Sequence, residues 1–425
     1  MTSRASSSRH RNDLAPLGYA LDLALLAVVC YLALPGARRL AAAASGAGAP
    51  LPPLSSLPTP LSAANATGLL LPRGGGGAPS PAALRAQAWF NYLLDADCGA
   101  DAASRPEAAY FLAADAWKNS LLLPRWLRIA LPHVLASWLR NMLAGWVLYF
   151  GVGGAWAAVI YWLRAEACFP RGAASMPSWA AMRAQMAVSA QAMVLYTLAP
   201  TVGEWAIERG WTRAYADPAA AAAWLGLPAG AAGAAAGYAA TLALYLLLVE
   251  WGIYWIHRYL HENRALYRAL HRVHHIYNNE GSLSPFAGLA FHPIDGLLQA
   301  APYGLLLPLL PVHFWTYEAL LFFTAIWTTN IHDTLVCDTL PIMGSAYHTV
   351  HHTTYRDNYG QLLVFFDWIH DTLTPIGKEG AHGDAAAEAD QVAVVAAAGG
   401  SEAAGKAAAE APARRRSSAG GARRR

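Results

Sequence analysis

Residues 257–275 read HRYLHENRALYRALHRVHH, and five histidines fall within that stretch, as HxxxH (His257, His261) and HxxHH (His271, His274, His275). A further HxxHH follows at His348, His351 and His352. Residues three or four apart on a helix share a face, so each group turns its imidazoles to one side. Imidazole is the commonest metal ligand and suits zinc, copper, iron or nickel better than magnesium or calcium. A single histidine on an apolar face is ordinarily a hydrogen-bonded core residue. Eight in three patterned groups point to metal.

His261 and His271 are ten positions apart, about 15 Å of rise on a continuous helix, whereas metal–nitrogen bonds are about 2 Å. Either the helix breaks near Glu262–Asn263, with Asn263 capping a new one, or the groups serve different ions. Eight imidazoles exceed the ligand set of one tetrahedral zinc, so two ions are the expected count. The donors are all neutral, unlike the Glu-x-x-His carboxylate sites of soluble di-iron bundles.

The elements that position these groups are expected to lie in a membrane. Of 425 residues 56% are hydrophobic and only 13% charged, with sixteen tryptophans and a mean hydropathy of +0.26. That composition belongs to membrane helices rather than to a large soluble enzyme. The net charge of +3 comes largely from basic tails and gives no argument for a nucleic-acid partner. Four scattered cysteines (Cys30, Cys98, Cys168, Cys337) without a CxxC argue against a disulfide framework or a zinc ribbon.

Residues 1–105 read as an N-terminal extension. It opens Ser/Arg-rich, continues in an apolar run over 17–35 that carries Asp22, and becomes Ala/Gly/Pro/Ser-rich with one sequon at Asn65. The apolar run is a signal anchor, a signal peptide or a transit segment. Residues 106–378 form the expected membrane-embedded catalytic domain, and 379–425 a disordered Ala/Gly/Arg-rich tail. Apolar segments near the bilayer length run over 142–163, over 181–198 (ending before Pro200), over 231–256 leading straight into His257, and as a hairpin over 291–331 turning at Pro308 and Pro311. The fold class expected is all-α: a polytopic membrane bundle of about four core transmembrane helices carrying a histidine-rich di-metal cap. His257, His332 and the third histidine group follow span ends on one side, and His313 falls at the far turn. The arginine-rich tail favours the cytosol for that side, as do Arg164 and Arg171, while Arg125, Arg128 and Arg140 disagree.

A metal or proton transporter would hold histidines inside its spans, paired with carboxylates. Here they gather at span ends, and no expected span centre after residue 140 carries Asp or Glu. A histidine-rich transporter is therefore the weaker reading, and a structural zinc site needs four ligands rather than eight or nine; the transporter and a non-catalytic membrane protein stay as the alternatives from another class. A redox metal pair beside a membrane cavity suits oxygen activation against a lipid-soluble substrate. With no GxGxxG fingerprint and no CxxCH haem site, electrons must come from another protein.

SWLRNMLAGWVLYF, LAPTVGEWAIERGWTRAY, SPFAGLAFHPIDGLLQAAPY, IWTTNIHDTL and PIMGSAYHTVHHTTYRDNYGQ together resemble the fatty acid hydroxylase/sterol desaturase superfamily of membrane non-haem di-iron oxidases. Within it the chain is most similar to the plant-type sterol C-5 desaturases, over about residues 130–374. The histidine motifs are shared across the superfamily; SPFAGLAFHPIDG and YHTVHHTTYRDNYGQ are more specific. The resemblance implies that His257, His261, His271, His274, His275, His348, His351 and His352 ligate two irons and that His332 completes the set. It implies Asp333 as a partner orienting a ring, and His292 either at the substrate entrance, in the surrounding shell, or simply as a helix-start residue. No catalytic residue beyond the metal ligands is implied. Plant-type members often carry another histidine where this chain has Val336.

The resemblance also implies the reaction. A delta-7 sterol would gain its C5(6) double bond at the expense of O2, with electrons from NADH or NADPH passed through cytochrome b5 and its reductase. The setting would be the endoplasmic reticulum membrane, with the site facing the cytosol. Sterol C-4 methyl oxidation or another lipid hydroxylation stays open, since hydroxylation and desaturation share the first hydrogen abstraction. His10, His133, His370 and His382 are read as ordinary.

Overall fold

In a computed structural model the chain is described for residues 18–30, 106–169, 176–278, 282–333, 335 and 338–376. The segment 36–105 with Asn65, the tail 379–425, Arg171, Val336, His10 and His382 lie outside the described residues. The apolar run near the N-terminus forms α1 (Gly18–Cys30). It lies against the main body, its Asp22 accepting from the indole N–H groups of Trp251 and Trp255 at 2.8 and 3.1 Å.

The body opens with α2 (Pro106–Leu122) and α3 (Arg125–Ala130). The first long helix is α4 (His133–Leu163), whose last five residues, Val159–Leu163, form a π-turn. After α5 (Ala165–Cys168), α6 (Trp179–Tyr196) begins at Ser178, whose hydroxyl accepts from Ala181 N at 3.1 Å. The sequence pattern ends this segment before Pro200; the structure does not. After a break at Thr197 the chain continues as α7 (Leu198–Glu208). Pro200 sits in the first turn, where its missing N–H would have had no intrahelical partner. The continuation brings Glu204 and Glu208, both buried, into the apolar stretch, where the sequence pattern leads one to expect no carboxylate.

A two-residue strand β1 (Ala214–Tyr215) and α8 (Ala219–Leu225) follow. Gly226, with φ of 69°, caps α8 in the left-handed region and turns the chain toward α9 (Ala231–Glu262). α10 spans 264–275 and contains a π-turn at Tyr267–His271. α11 (Pro293–Leu305) and α12 (Phe314–Ile331) form the expected hairpin. At its turn β2 (Val312–His313) pairs in parallel with β1, Ala214 opposite Val312 and Tyr215 opposite His313. α13 (Ser345–Thr354) and α14 (Phe365–Ile369) close the described chain. Apart from that short pairing and one isolated bridge between Ile342 and Leu363, the described residues are helical or irregular.

Three helices are long and apolar enough to cross a membrane: α4, α6 with α7, and α9. Only 17%, 33% and 28% of their most apolar windows are buried within the chain. Most of that surface, including Val147, Phe150, Trp162 and Leu163 on α4, faces outward, as lipid-facing helices do. The hairpin expected as a further crossing is shorter. α11 has 13 residues, about 20 Å of rise, against about 30 Å of hydrocarbon. The main core packs α9 on the hairpin through Tyr245, Leu248, Ile253, Leu307, Phe314 and Tyr317.

The break between α9 and α10 is made by Asn263, whose side-chain oxygen accepts from Ala265 N and Leu266 N at 3.0 and 3.1 Å. This is the helix break that the 257–275 spacing allowed. Replacing Asn263 by Ala removes both bonds and should lower stability by about 1 kcal/mol, visible as a lower midpoint in thermal unfolding of the detergent-solubilised protein.

Candidate metal centre

α9 brings His257 and His261 to its last two turns, on one face. After the break at Asn263, α10 doubles back. Its π-turn inserts one extra residue, rotating the next turn by roughly 100° relative to a regular helix, and His271, His274 and His275 lie at or just after that turn. His332 follows the last residue of α12, and α13 supplies His348, His351 and His352. Eight of these nine side chains are buried and His261 is half-buried.

The nine rings fall into two sets. His257, His261, His271, His275 and His351 each offer a nitrogen within 4.8 Å of the others, and His274, His332, His348 and His352 do the same. The sets cut across the sequence motifs: one HxxHH sends His271 and His275 to the first set and His274 to the second, and the other sends His351 to the first and His348 and His352 to the second. The sets adjoin, with the rings of His275 and His352 4.5 Å apart between centroids.

Within the sets, Nε2 atoms face one another: His271 and His275 at 3.1 Å, His332 and His348 at 2.9 Å, His274 and His332 at 3.2 Å, His348 and His352 at 3.2 Å. Neighbouring ligands of one ion with bonds of about 2.1 Å and right-angle to tetrahedral geometry stand about 3.0–3.4 Å apart. The separations suit shared coordination.

Ring protonation supports the same arrangement. His257 Nδ1 donates to Tyr359 O at 2.9 Å, His351 Nδ1 to Asp357 O at 2.8 Å, His332 Nδ1 to Thr328 O at 2.6 Å, and His271 Nδ1 to an Asp295 carboxylate oxygen at 2.7 Å. A neutral imidazole has one donor and one acceptor, so each of these rings keeps an Nε2 lone pair aimed inward, the usual outer-shell arrangement of metal-binding histidine. The Nε2 atoms of His257, His261 and His351 are buried with no hydrogen-bond partner. Each such orphan costs about 1–3 kcal/mol unless an ion takes it up. The donor set therefore fits two transition-metal ions, five nitrogens for one and four for the other.

Burial is the main reason that the rings resist protonation. It holds His274, His275, His348, His351 and His352 well below the ordinary histidine range, and neighbouring imidazoles push further in the same direction. Burial lowers His332 to about 4 against the opposing bond to Thr328 O.

Asp333 does not orient a ring. One of its carboxylate oxygens accepts from Trp156 Nε1 at 2.9 Å and the other from Leu335 N at 2.8 Å, so it ties α4 to the segment after α12, and burial raises its pKa. The carboxylate that does hold a ring is Asp295, in the first turn of α11, which also accepts from Gln299 Nε2 at 2.9 Å. The sequence held one signal for it: no other Asp or Glu occurs between residues 283 and 317. His292 is the N-cap of α11, accepting from Ile294 N at 3.3 Å, and the helix-start reading describes it. The carbonyls of Asp357 and Thr328 carried no sequence signal, because every residue has one.

Two buried carboxylates hold the loop that supplies Tyr359 O. Asp367 accepts from Tyr359 N and Gly360 N at 2.7 and 2.8 Å, and Glu250, on α9, accepts from Leu362 N and Leu363 N at 3.1 Å. Gly288 sets the opposite wall: a Cβ there would lie 2.7 Å from Thr328 O, the carbonyl that holds His332. An apolar cavity of about 210 Å³ runs from this wall between α4, α6, α11 and α12, lined by Leu148, Met193, Tyr303, Leu321 and Ala325 among others. Phe291, also in its lining, stacks on His274 with centroids 4.1 Å apart.

His133, read as ordinary, lies 2.7 Å from Glu208, and with Asp115 forms a third compact set. There Asp115 also faces Lys118 at 2.5 Å and Arg140 at 3.5 Å, so protein cations already serve that set. His313 is at the far turn as expected, within 3.2 Å of Ala216 O.

Fold and site together define a helical membrane protein with a buried, all-imidazole centre suited to transition metals, next to an apolar cavity. The fatty acid hydroxylase family model matches residues 242–372, from α9 through α14. The chain is 45% identical over 251 residues to a Nicotiana tabacum protein named Delta(7)-sterol-C5(6)-desaturase, covering 59% of this chain and 88% of that one. It is 45% identical over 254 residues to Putative Delta(7)-sterol-C5(6)-desaturase 2 of Arabidopsis thaliana, covering 60% and 86%. It is 43% identical over 100 residues to human lathosterol oxidase, covering 23% and 32%. No solved structure matches. The chain belongs to the fatty acid hydroxylase/sterol desaturase family and is an oxidoreductase.

Two outcomes are expected. His351→Ala removes one of five nitrogens from the first set, and metal analysis of the purified protein should fall from two ions per chain toward one. Metal-free protein should lose stability as pH falls from about 6.5, the unfolded histidine value, through the depressed native values, His332 at about 4 among them. In that window the unfolded chain binds more protons than the native one. A thermal midpoint of the metal-free protein that rose on acidification would contradict the buried neutral rings.

Proposed function

We propose that this chain introduces the C5(6) double bond into a delta-7 sterol, using two irons held by His257, His261, His271, His275 and His351 on one side and by His274, His332, His348 and His352 on the other. The carrying observation is that every histidine implied as a ligand joins one of two compact nitrogen sets beside an apolar cavity. The names of the most similar relatives supply the substrate class. The overall change is removal of two hydrogens from the sterol, with O2, two electrons and two protons giving two waters. Bound iron would supply the O2 activation and hydrogen removal that no side chain here can perform.

The protein's own contribution is positional. Tyr359 O, Asp357 O, Thr328 O and Asp295 hold their rings by Nδ1, so the inward nitrogens cannot turn away. The largely apolar cavity walls suit a rigid hydrocarbon skeleton, and Phe291 gives the cavity an aromatic surface against His274. Electrons would arrive from NAD(P)H through cytochrome b5 and its reductase. The site would face the cytosol from the endoplasmic reticulum membrane, because those donors act there.

Expression in cells lacking their own sterol C-5 desaturase tests this directly. Sterol profiling should show delta-7 sterol converted to the 5,7-diene, and His351→Ala should reduce conversion to background while the protein still reaches the membrane. Accumulation of a hydroxylated product or loss of a C-4 methyl group, without diene, would assign the chain to another oxidation in the same family.

A further inference from the structure

The cavity has polar groups at both ends, and what separates them is their distance from the histidine sets. At the end away from the histidines, Asn141 and Glu318 contribute to the lining. Asn141 is committed through its amide nitrogen to Thr201 Oγ1 and Glu204, and through its oxygen to Arg140. Glu318 is held by Lys118 at 3.0 Å through Oε2, while its Oε1 is buried without a hydrogen-bond partner. At the histidine end the lining carries Gln299 and Gln361. Gln299 Nε2 donates to Asp295, the carboxylate on His271, and Gln361 Nε2 donates at 3.0 Å to the hydroxyl of Thr328, whose carbonyl holds His332. Each amide is thus oriented by one bond through its nitrogen, and its side-chain oxygen makes no bond with the described residues.

A sterol has one polar group on its ring system, the 3-hydroxyl, and its oxygen is only three bonds from C5. If C5 and C6 face the histidine sets, the hydroxyl must be buried at the same end. Glu318 and Thr328 are ten positions apart on α12, about 15 Å along the axis, too far for the hydroxyl to reach Glu318 or its neighbours while C5 stays beside the centre. The far end can receive only the hydrocarbon side chain. A buried hydroxyl left without an acceptor weakens binding, and a site that supplies one discriminates against analogues that lack it.

Resting on the desaturase reading, we infer that the side-chain oxygens of Gln361 and Gln299 form a subsite that accepts a hydrogen bond from the substrate's 3-hydroxyl. Gln361 is the better probe. Loss of Gln299 would also release Asp295 from one of its partners, and through it His271. Thr328, by contrast, keeps its own hydroxyl bond to Thr324 O at 2.7 Å without Gln361.

The test compares a delta-7 sterol with its 3-deoxy and 3-O-methyl analogues in membranes containing wild-type protein or Gln361→Leu, with metal content measured in parallel. Wild-type protein should favour the free sterol by roughly tenfold or more in kcat/KM. Gln361→Leu should bring the preference close to unity, mainly through KM for the free sterol, with both ions retained. An unchanged preference in the variant overturns the subsite, as does a wild-type protein indifferent to the hydroxyl. If wild-type protein makes no diene from any of the sterols, the desaturase reading itself fails, an outcome separate from either of those.

Discussion

Nine imidazoles in a buried space with their lone pairs converging is an arrangement that protein alone cannot satisfy. Each ring could be relieved by rotation, by a water or by a donor, but four are held outward by Nδ1 bonds to Tyr359 O, Asp357 O, Thr328 O and Asp295. Inward-facing nitrogens 2.9–3.2 Å apart must then share protons or share ions. Burial disfavours imidazolium, which is poorly solvated away from water, and a neutral Nε2–H shared within a pair still leaves the Nε2 atoms of His257, His261 and His351 without a partner. Metal ions would take up these lone pairs, and the rest of the fold acts as the frame that keeps them together.

That frame is built from opposing directions. α9 and α12 deliver His257, His261 and His332 at their C-terminal ends, α10 doubles back across the first of them, and α13 enters from the segment after α12. The supports are buried carboxylates turned to other protein groups rather than to metal: Glu250 and Asp367 hold the backbone of the 359–363 loop, and Asp333 joins α4 to the segment after α12 through Trp156 Nε1 and Leu335 N. A carboxylate that accepts backbone N–H groups can be buried with less penalty than an isolated one. The two nitrogen sets can therefore consist of imidazole alone while acidic residues still organise the site.

The cavity arises from the same geometry. α11 and α12 pack on α9 through Tyr303, Leu307 and Tyr317, yet leave space toward α4 and α6 that ends at Phe291 and Thr328, in contact with the centre. An apolar substrate approaching from lipid would meet an apolar wall over most of its length and polar atoms mainly at the ends. Reaction at one carbon–carbon bond of a hydrocarbon skeleton would depend on such placement, since no charge on such a substrate directs the chemistry.

The sequence by itself determined the family and marked the nine histidines that the structure brings together. Histidine spacing marked eight of them, the resemblance added His332, composition pointed to apolar helices long enough to cross a membrane, and the break at Asn263 could be anticipated because a capping side chain stands where a continuous helix would separate His261 from His271 by too great a rise. The tertiary structure decided which nitrogen goes to which set. Within each HxxHH the outer and inner histidines divide between two sets, because adjacent residues on a helix point about 100° apart and each direction meets a different neighbouring element. It also decided that Asp295, and not Asp333, holds a ring, since the pairing joins residues 24 positions apart through the docking of α11 on α10. The carbonyl supports were illegible for a simpler reason: a backbone acceptor acquires its role only from where the chain places it.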